Sequence, residues 1–254
     1  TGTIFTGATT MTVTGTPQII CTNSSATSRT LSSGGAVTEA NSISFRITAG
    51  TGTLSLTAGG YRDLDFTDGT NPTGYGGVLA GTAITIYGNL KASTSGMTTS
   101  GANVLTFAAT SGTKTINTAG VAFDRPFTFN GVGGTWQLLS NLVVGPSPAG
   151  VDSTRTTTLT AGTLDVNGFT LTTGIMTGTG SAVRSLLTNS VPIVITGSGA
   201  TVVNFGTTGN LTVDVTPTLN LTYSGAVGTR TIAFGASFGT YVNAPNINVA
   251  AAGD

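Results

Sequence analysis

Glycine falls every six residues through TTTLTAGTLDVNGFTLTTG, at Gly162, Gly168 and Gly174, and this spacing limits the chain more than any other feature. Between these glycines Leu159, Leu164, Val166, Phe169 and Leu171 alternate with small or hydroxylated residues. Such a segment has room for a short strand and a turn. A helix would need apolar residues at i, i+3, i+4 and i+7, and no run of that kind longer than a turn or two occurs. The same grammar fills the chain, so the expected class is all-β.

A low-charge, glycine-rich chain can be disordered, but disordered chains are poor in β-branched and aromatic residues and carry high net charge. This chain has 54 Thr, 38 Gly and 11 Phe, and its nine basic and nine acidic residues cancel. Only 7% of residues are charged, against about 25% in ordinary soluble domains. Hydroxyls and amides must supply solubility. With no net field to steer it, neither nucleic acid nor an anionic membrane is an expected partner.

Cys21 is the single cysteine, which excludes an internal disulfide framework and a cysteine metal cluster, and it is expected to act as a small buried hydrophobe. Histidine is absent, which removes the commonest general base and the commonest transition-metal ligand. No apolar run approaches the roughly 18 residues that span a bilayer, and no basic-then-apolar leader opens the sequence. A chain that opens on Thr1 and stops at Asp254 is expected to be part of a longer or processed protein.

Along the chain, Thr1–Gly15 has strand-like spacing and is expected to form an edge or stacking unit. TPQIICTNSSATSRTL at 16–31 has a twin, TPTLNLTYSGAVGTRTI, at 216–232, and VLTFAATSGTKTI at 104–116 keeps the second half. These three copies indicate an internal repeat. Basic residues open apparent strands at Arg29, Arg62, Lys114, Arg155, Arg184 and Arg230, at uneven intervals, so the repeat units vary in length. Asn-Leu follows a small residue at Asn89, Asn141 and Asn210, where a turn should hand over to a strand. The segment 120–145 holds Phe123, Phe127, Phe129 and Trp136 and is the expected best-packed section. Loops are expected at 67–77 and at 145–155, the second interrupting two stacked halves, 1–145 and 156–254, that otherwise run on continuously.

Two architectures satisfy this pattern: a parallel β-helix with irregular coils, or tandem β-sandwich modules. Short strands, glycine every five to eight residues and abundant threonine favour the β-helix.

The segment GTKTINTAGVAFDRPFTFNGVGGTWQLLSNLVVG at 112–145, the following TTTLTAGTLDVNGFTLTTG, and TRTIAFG at 229–235 resemble Thr/Gly-rich repeat proteins of tailed bacteriophages and bacterial surfaces. The likeness covers about half the chain and has no catalytic signature. It implies a β-solenoid in a virion appendage or surface filament, structural or receptor-facing, and it carries over no functional residue.

Asp63, Asp65 and Asp68 form the densest acidic group, with Asp63 and Asp65 on one strand face and Asp68 at the turn. Such oxygens can hold Ca²⁺, and parallel β-helix polysaccharide lyases pair Asp–Ca²⁺ groups with a nearby cation such as Arg62. The simpler reading is a strand edge with turn-capping aspartates. Asp124, Asp152, Asp165 and Asp214 are scattered singly and make no carboxylate pair. Thr-x-Thr pairs at Thr1/Thr3, Thr10/Thr12/Thr14, Thr113/Thr115 and Thr156/Thr158 suit a hydroxyl ladder that binds ice, though threonine is also a good strand residue. Asn23, Asn210 and Asn220 fit the glycosylation acceptor pattern, which means little in so hydroxyl-rich a chain. Gly74-Tyr75-Gly76-Gly77 lacks the lysine of a phosphate loop. The Arg-Thr-Ile/Leu refrain suits an acidic sugar or DNA, but the simpler reading is that each of its arginines lies along a strand face, stacked on a neighbour or paired with an aspartate.

The expectation is a structural component of an extracellular or virion-surface appendage or filament. It would self-associate or join other appendage proteins and contact a surface receptor or glycan. No catalytic residue and no cofactor is assigned. The alternatives are a polysaccharide-degrading, tailspike-type β-helix enzyme and an adhesin or ice-binding module.

Overall fold

A computed structural model describes residues 2–3, 17–22, 24–33, 37–146, 154–206, 209–214, 217–222, 229–234 and 245–249. The expected edge unit at Thr1–Gly15 lies outside them except for the strand Gly2–Thr3. Among the described residues there is no helix, and every pairing between strands is parallel. The chain is a parallel β-solenoid of about eight turns, and tandem sandwiches, which require antiparallel sheets, are excluded.

From Ser44 to Leu221 each turn visits three walls in a fixed order. The first wall is a five-stranded sheet from Gly2–Thr3 to Thr98–Thr99, continued by a six-stranded sheet from Ala122–Phe123 to Asn246–Val249. Thr99 joins the two: its Oγ1 donates to Ala122 O at 3.3 Å and accepts from Asp124 N at 2.7 Å. The second and third walls are two ladders of one fifteen-stranded sheet. They share the long strands Phe127–Leu138 and Thr156–Asp165, which bend from one wall into the other. The second wall runs from Gly59–Tyr61 through Ile84–Ile86 and Leu105–Phe107 up to Thr231–Phe234, and the third from Gln18–Cys21 through Ser44–Ile47 and Leu64–Asp65 to Leu211–Val213.

Period-2 alternation sets which side chains turn inward. On the third wall Ile19, Phe45, Leu64, Leu90, Ile116 and Leu138 stack rung on rung. On the second, Tyr61, Ile86, Phe107, Phe129 and Leu159 do the same. Phe107 stacks on Phe129 at 5.1 Å, Phe123 meets Phe127 edge-on at 5.5 Å, and Trp136 lies 5.8 Å from Phe129, all fully buried. The aromatic segment is thus the dense centre of the core. Cys21 is a free thiol, half-buried against that core, and burial raises its pKa.

The three copies of the sequence repeat occupy three different corners. Gln18–Cys21 and Arg29–Leu31 step from third wall to first, Leu105–Phe107 and Thr113–Asn117 from second to third, and Thr218–Leu221 and Thr231–Phe234 from first to second. The repeating unit is therefore one wall-to-wall step, not one coil. Coil length varies accordingly: Phe45 pairs with Leu64, 19 residues on, and Phe127 with Thr157, 30 residues on. Strands from both sides of 146–155 pair directly, Leu142 with Leu171 and Phe127 with Thr157.

Corners are built in two ways. From third wall to first, Thr118–Val121, Val166–Phe169 and Thr188–Val191 close with N–H···O bonds of 2.8, 2.8 and 2.9 Å. Their central pairs all have positive φ: Ala119 and Gly120 (51° and 83°), Asn167 and Gly168 (49° and 81°), Asn189 and Ser190 (50° and 63°). These are type I′ turns, which asparagine and glycine accept most readily. From second wall to third, glycines press backbone on backbone. A Cβ on Gly131 would lie 1.9 Å from Ala109 O, and one on Gly162 would lie 2.2 Å from Gly131 O.

The segment 66–77 leaves the prism between third and first walls, closed by the antiparallel bridge Thr67–Gly74. Buried Tyr75 anchors it, donating to Gly52 O at 2.6 Å and lying 2.9 Å from Val78 O. Burial pushes its phenol up to about 12, so the neutral form favours folding.

Two measurements check this account. Gly131→Ala is expected to lower unfolding free energy in urea by about 3 kcal/mol, since backbone and Trp136 cannot both retreat. For Tyr75, a folded pKa above the unfolded value stabilises fully below about pH 10 and is lost as pH rises toward 12. Wild type should therefore lose about 2–3 kcal/mol more than Tyr75→Phe over that interval.

Candidate functional site

The exterior of the third wall carries a group of ionised side chains that includes Arg46, Asp63, Asp65 and Lys91. Its outward column Arg46, Asp65, Lys91, Asn117 is in register over four rungs, beside the inward column that includes Phe45 and Leu64. One residue pair earlier in the strands lies a second column of Ser44, Asp63, Asn89 and Thr115. Between them is a shallow depression of about 360 Å³, lined by Arg46, Asp63, Asp65, Asn89, Lys91 and Thr115 together with Gln18 and Asn117.

The structure keeps Asp63 and Asp65 on one face, as the sequence implies, and puts Asp68 apart in the 66–77 excursion. Each carboxylate is already occupied. Asp63 accepts from Ser44 Oγ at 2.6 Å, Asn89 N at 2.7 Å and Asn89 Nδ2 at 2.8 Å. Asp65 accepts from Arg46 Nε at 2.9 Å and from Thr67 N and Oγ1 at 2.9 and 2.7 Å. Asp68 caps its own turn through Thr70 N and the amides of Asn71. Hydrogen bonds from the Asn71 side chain and backbone hold exposed Asp68 below the usual carboxylate range, with Lys91 a minor contributor. Among the described residues no three acidic, histidine or cysteine side chains converge on a metal position. Arg62 bonds none of the three aspartates but donates to Ser42 O at 3.3 Å and Glu39 O at 3.0 Å.

The other acids are likewise structural acceptors. Asp124 pairs with Arg155 at 2.7 Å, Asp165 accepts from Gln137 and Asn189 side chains at 2.9 and 2.8 Å, and Asp214 accepts from Thr188 N at 2.9 Å. Asp152 lies outside the described residues. Asn89 passes the chain of bonds upward: its Oδ1 accepts from Thr115 N at 2.8 Å while its own N–H groups serve Asp63. Asn141 and Asn210 link coils in the same way, to Thr170 N and Ser181 O, at 3.0 and 2.8 Å.

Two arginines turn inward. Arg46 and Arg155 are paired with aspartates, but Arg125 and Arg184 are fully buried and donate to backbone carbonyls. Arg125 reaches Asn103 O at 2.8 Å and also Thr82 O, tying three successive coils at the first-to-second corner. Burial pushes its pKa down to about 10, which leaves it charged at neutral pH. Arg184 donates to Gly180 O at 2.6 Å and Ala182 O at 3.0 Å. In the sequence, Asp124-Arg125-Pro126 gives no sign that its cation turns inward.

The second wall is of opposite character. Its strands contain no Asp, Glu, Lys or Arg on any of the eight rungs. Its outward column is Thr85, Thr106, Thr128, Thr158 and Thr177, in unbroken register. The sequence-level Thr pairs pointed along strands, whereas this column runs across them. Thr113 and Thr115 sit in two columns of the third wall, Thr158 alone belongs to the ladder, and Thr1, Thr10, Thr12 and Thr14 lie outside the described residues. The signal was present as apolar-Thr-apolar triplets: Ile84-Thr85-Ile86, Leu105-Thr106-Phe107 and Phe127-Thr128-Phe129.

The fold and these surfaces define a three-walled parallel β-solenoid with one charged wall and one hydroxylated wall. No protein family, no curated protein and no solved structure matches the chain.

Since Asp63 serves as a hydrogen-bond hub, Asp63→Ala should cost about 1–2 kcal/mol of stability by leaving Ser44 and Asn89 donors unpaired. Calcium at millimolar concentration should leave Tm where a chelator leaves it. A calcium-dependent rise in Tm that Asp63→Ala abolishes would reveal a metal site after all.

Proposed function

We propose that the chain is a structural segment of an extracellular or virion-surface appendage or filament, a rigid spacer that associates with copies of itself or with other appendage proteins. The observation that supports this most is how its polar groups are spent. Asp63, Asp65, Asp124, Asp165 and Asp214 each accept from a side chain or backbone group of a neighbouring coil, while Asp68 caps its own turn. A hydrolase or lyase keeps such groups facing a substrate. Here they fasten the rod.

The geometry suits a spacer. Each coil adds one strand spacing of about 4.8 Å to every wall, so eight turns span roughly 40 Å without a flexible joint. A receptor or surface glycan would meet the third wall, where Lys91 and the amides of Gln18 and Asn117 line the depression.

Light scattering and negative-stain microscopy of the purified protein test this reading. Self-association into rods of uniform width is the expected outcome. Cleavage of bacterial surface polysaccharides by the wild type, lost in Asp65→Ala while the fold persists, would replace the scaffold with the tailspike-type enzyme.

A further inference from the structure

We propose that the second wall is an ice-binding surface, formed by the in-register column Thr85, Thr106, Thr128, Thr158 and Thr177 on a wall without ionised side chains. An ice-binding wall is independent of the scaffold role and goes beyond it.

Three properties of the wall lead there. First, the column repeats at the strand spacing of about 4.8 Å, which is close to the repeat of oxygen rows in ice. Registers are unshifted at all five positions, so the spacing does not drift. Second, the hydroxyls are available. Those of Thr85, Thr106 and Thr128 make no hydrogen bond to the described residues, and at the far end Thr177 Oγ1 donates to Thr158 Oγ1 at 3.1 Å. Each threonine also presents a methyl group, and its β-branch restricts χ1, so hydroxyl and methyl hold fixed positions. Third, the backing is stiff. Ile86, Phe107 and Phe129 stack directly behind the column and are fully buried.

The absence of charge on these strands selects the occupant. An ice lattice has no place for an ion and its hydration shell, so a wall that engages it must be neutral, and the contrast with the charged third wall is sharp. Area argues the same way. Five rungs by three residues offer roughly 200 Å² of contact, well below the ~800 Å² per partner of a stable protein interface. So small a patch gains hold only on a surface that repeats with it, each row adding a weak contact to the last.

The test is ice recrystallisation inhibition and partition into a slowly grown ice hemisphere, with melting curves to show that each variant is folded. Thr128→Lys places a charge at the centre of the column, on an outward, half-buried position. Lys91→Gln alters the third wall instead. Wild type should enter the ice and inhibit recrystallisation, Thr128→Lys should need at least about tenfold more protein, and Lys91→Gln should stay within about twofold of wild type. Exclusion of the wild type from ice overturns the proposal, as does a folded Thr128→Lys variant with full activity. If Thr128→Lys instead abolishes a dimer, or abolishes adsorption to insoluble cellulose or chitin, while ice is never bound, the wall belongs to a second copy or to a neutral polysaccharide and the proposal fails.

Discussion

Backbone hydrogen bonding between successive coils is the constraint on which everything else in this molecule depends. Most strands have two to five residues and are too short to be stable alone, and a two-stranded parallel pair would scarcely be better. The ladders work because every rung is both template and guest, so N–H and C=O groups are satisfied on both sides except at the ends. That arrangement fixes the spacing between coils at one strand distance. Anything standing between two corners must then fit in that distance, and this is why Gly131 and Gly162 sit where Ala109 O and Gly131 O press on them. Glycine here is required by contact rather than by conformational freedom alone.

The side-chain chemistry follows from the same spacing. Residues at equivalent positions are stacked, so an outward side chain has its best partners one coil above and below. Ser44, Asp63, Asn89 and Thr115 form such a chain, in which the carboxylate accepts and the amide both gives and receives. Inward, the same stacking brings Phe107 onto Phe129. Arg125 is the exception that shows the rule: at a corner, where the ladders turn and carbonyls lack strand partners, a guanidinium supplies the missing donors to several coils at once. Buried without a carboxylate, it replaces water at the carbonyls.

How much of this was legible in the sequence depended on whether a feature is local. Strand alternation, glycine punctuation and the Asn-Leu handovers are local, so the all-β solenoid, the packed segment around Trp136 and the turn chemistry could be read directly. Features that exist only between coils could not. The threonine column joins Thr85 to Thr177 across 92 positions through unequal steps, and a scan along the chain finds only the pairs within one strand. For the same reason the sequence shows Asp63 and Asp65 on one strand face but not the groups that occupy them. Their donors, Ser44, Arg46 and Asn89, lie on adjacent rungs 19 to 26 residues away. The burial of Arg125 and Arg184 was equally hidden, because a cation at a corner and a cation on a strand face have the same local sequence.

The uneven coil lengths have a physical reading too. If the conserved element of construction is a step from one wall to the next, a coil can lengthen at any corner without disturbing the register of the walls. The excursion 66–77 does this between third and first walls, where its own bridge and the Tyr75 anchor make it a closed appendix. Loop-closure entropy rises only slowly with length, so such insertions are tolerated as long as their ends return to the ladder. Because each wall keeps its own outward column through such insertions, the three walls can diverge independently. A charged wall and a neutral, hydroxylated wall then coexist on one rod without either compromising the core they share.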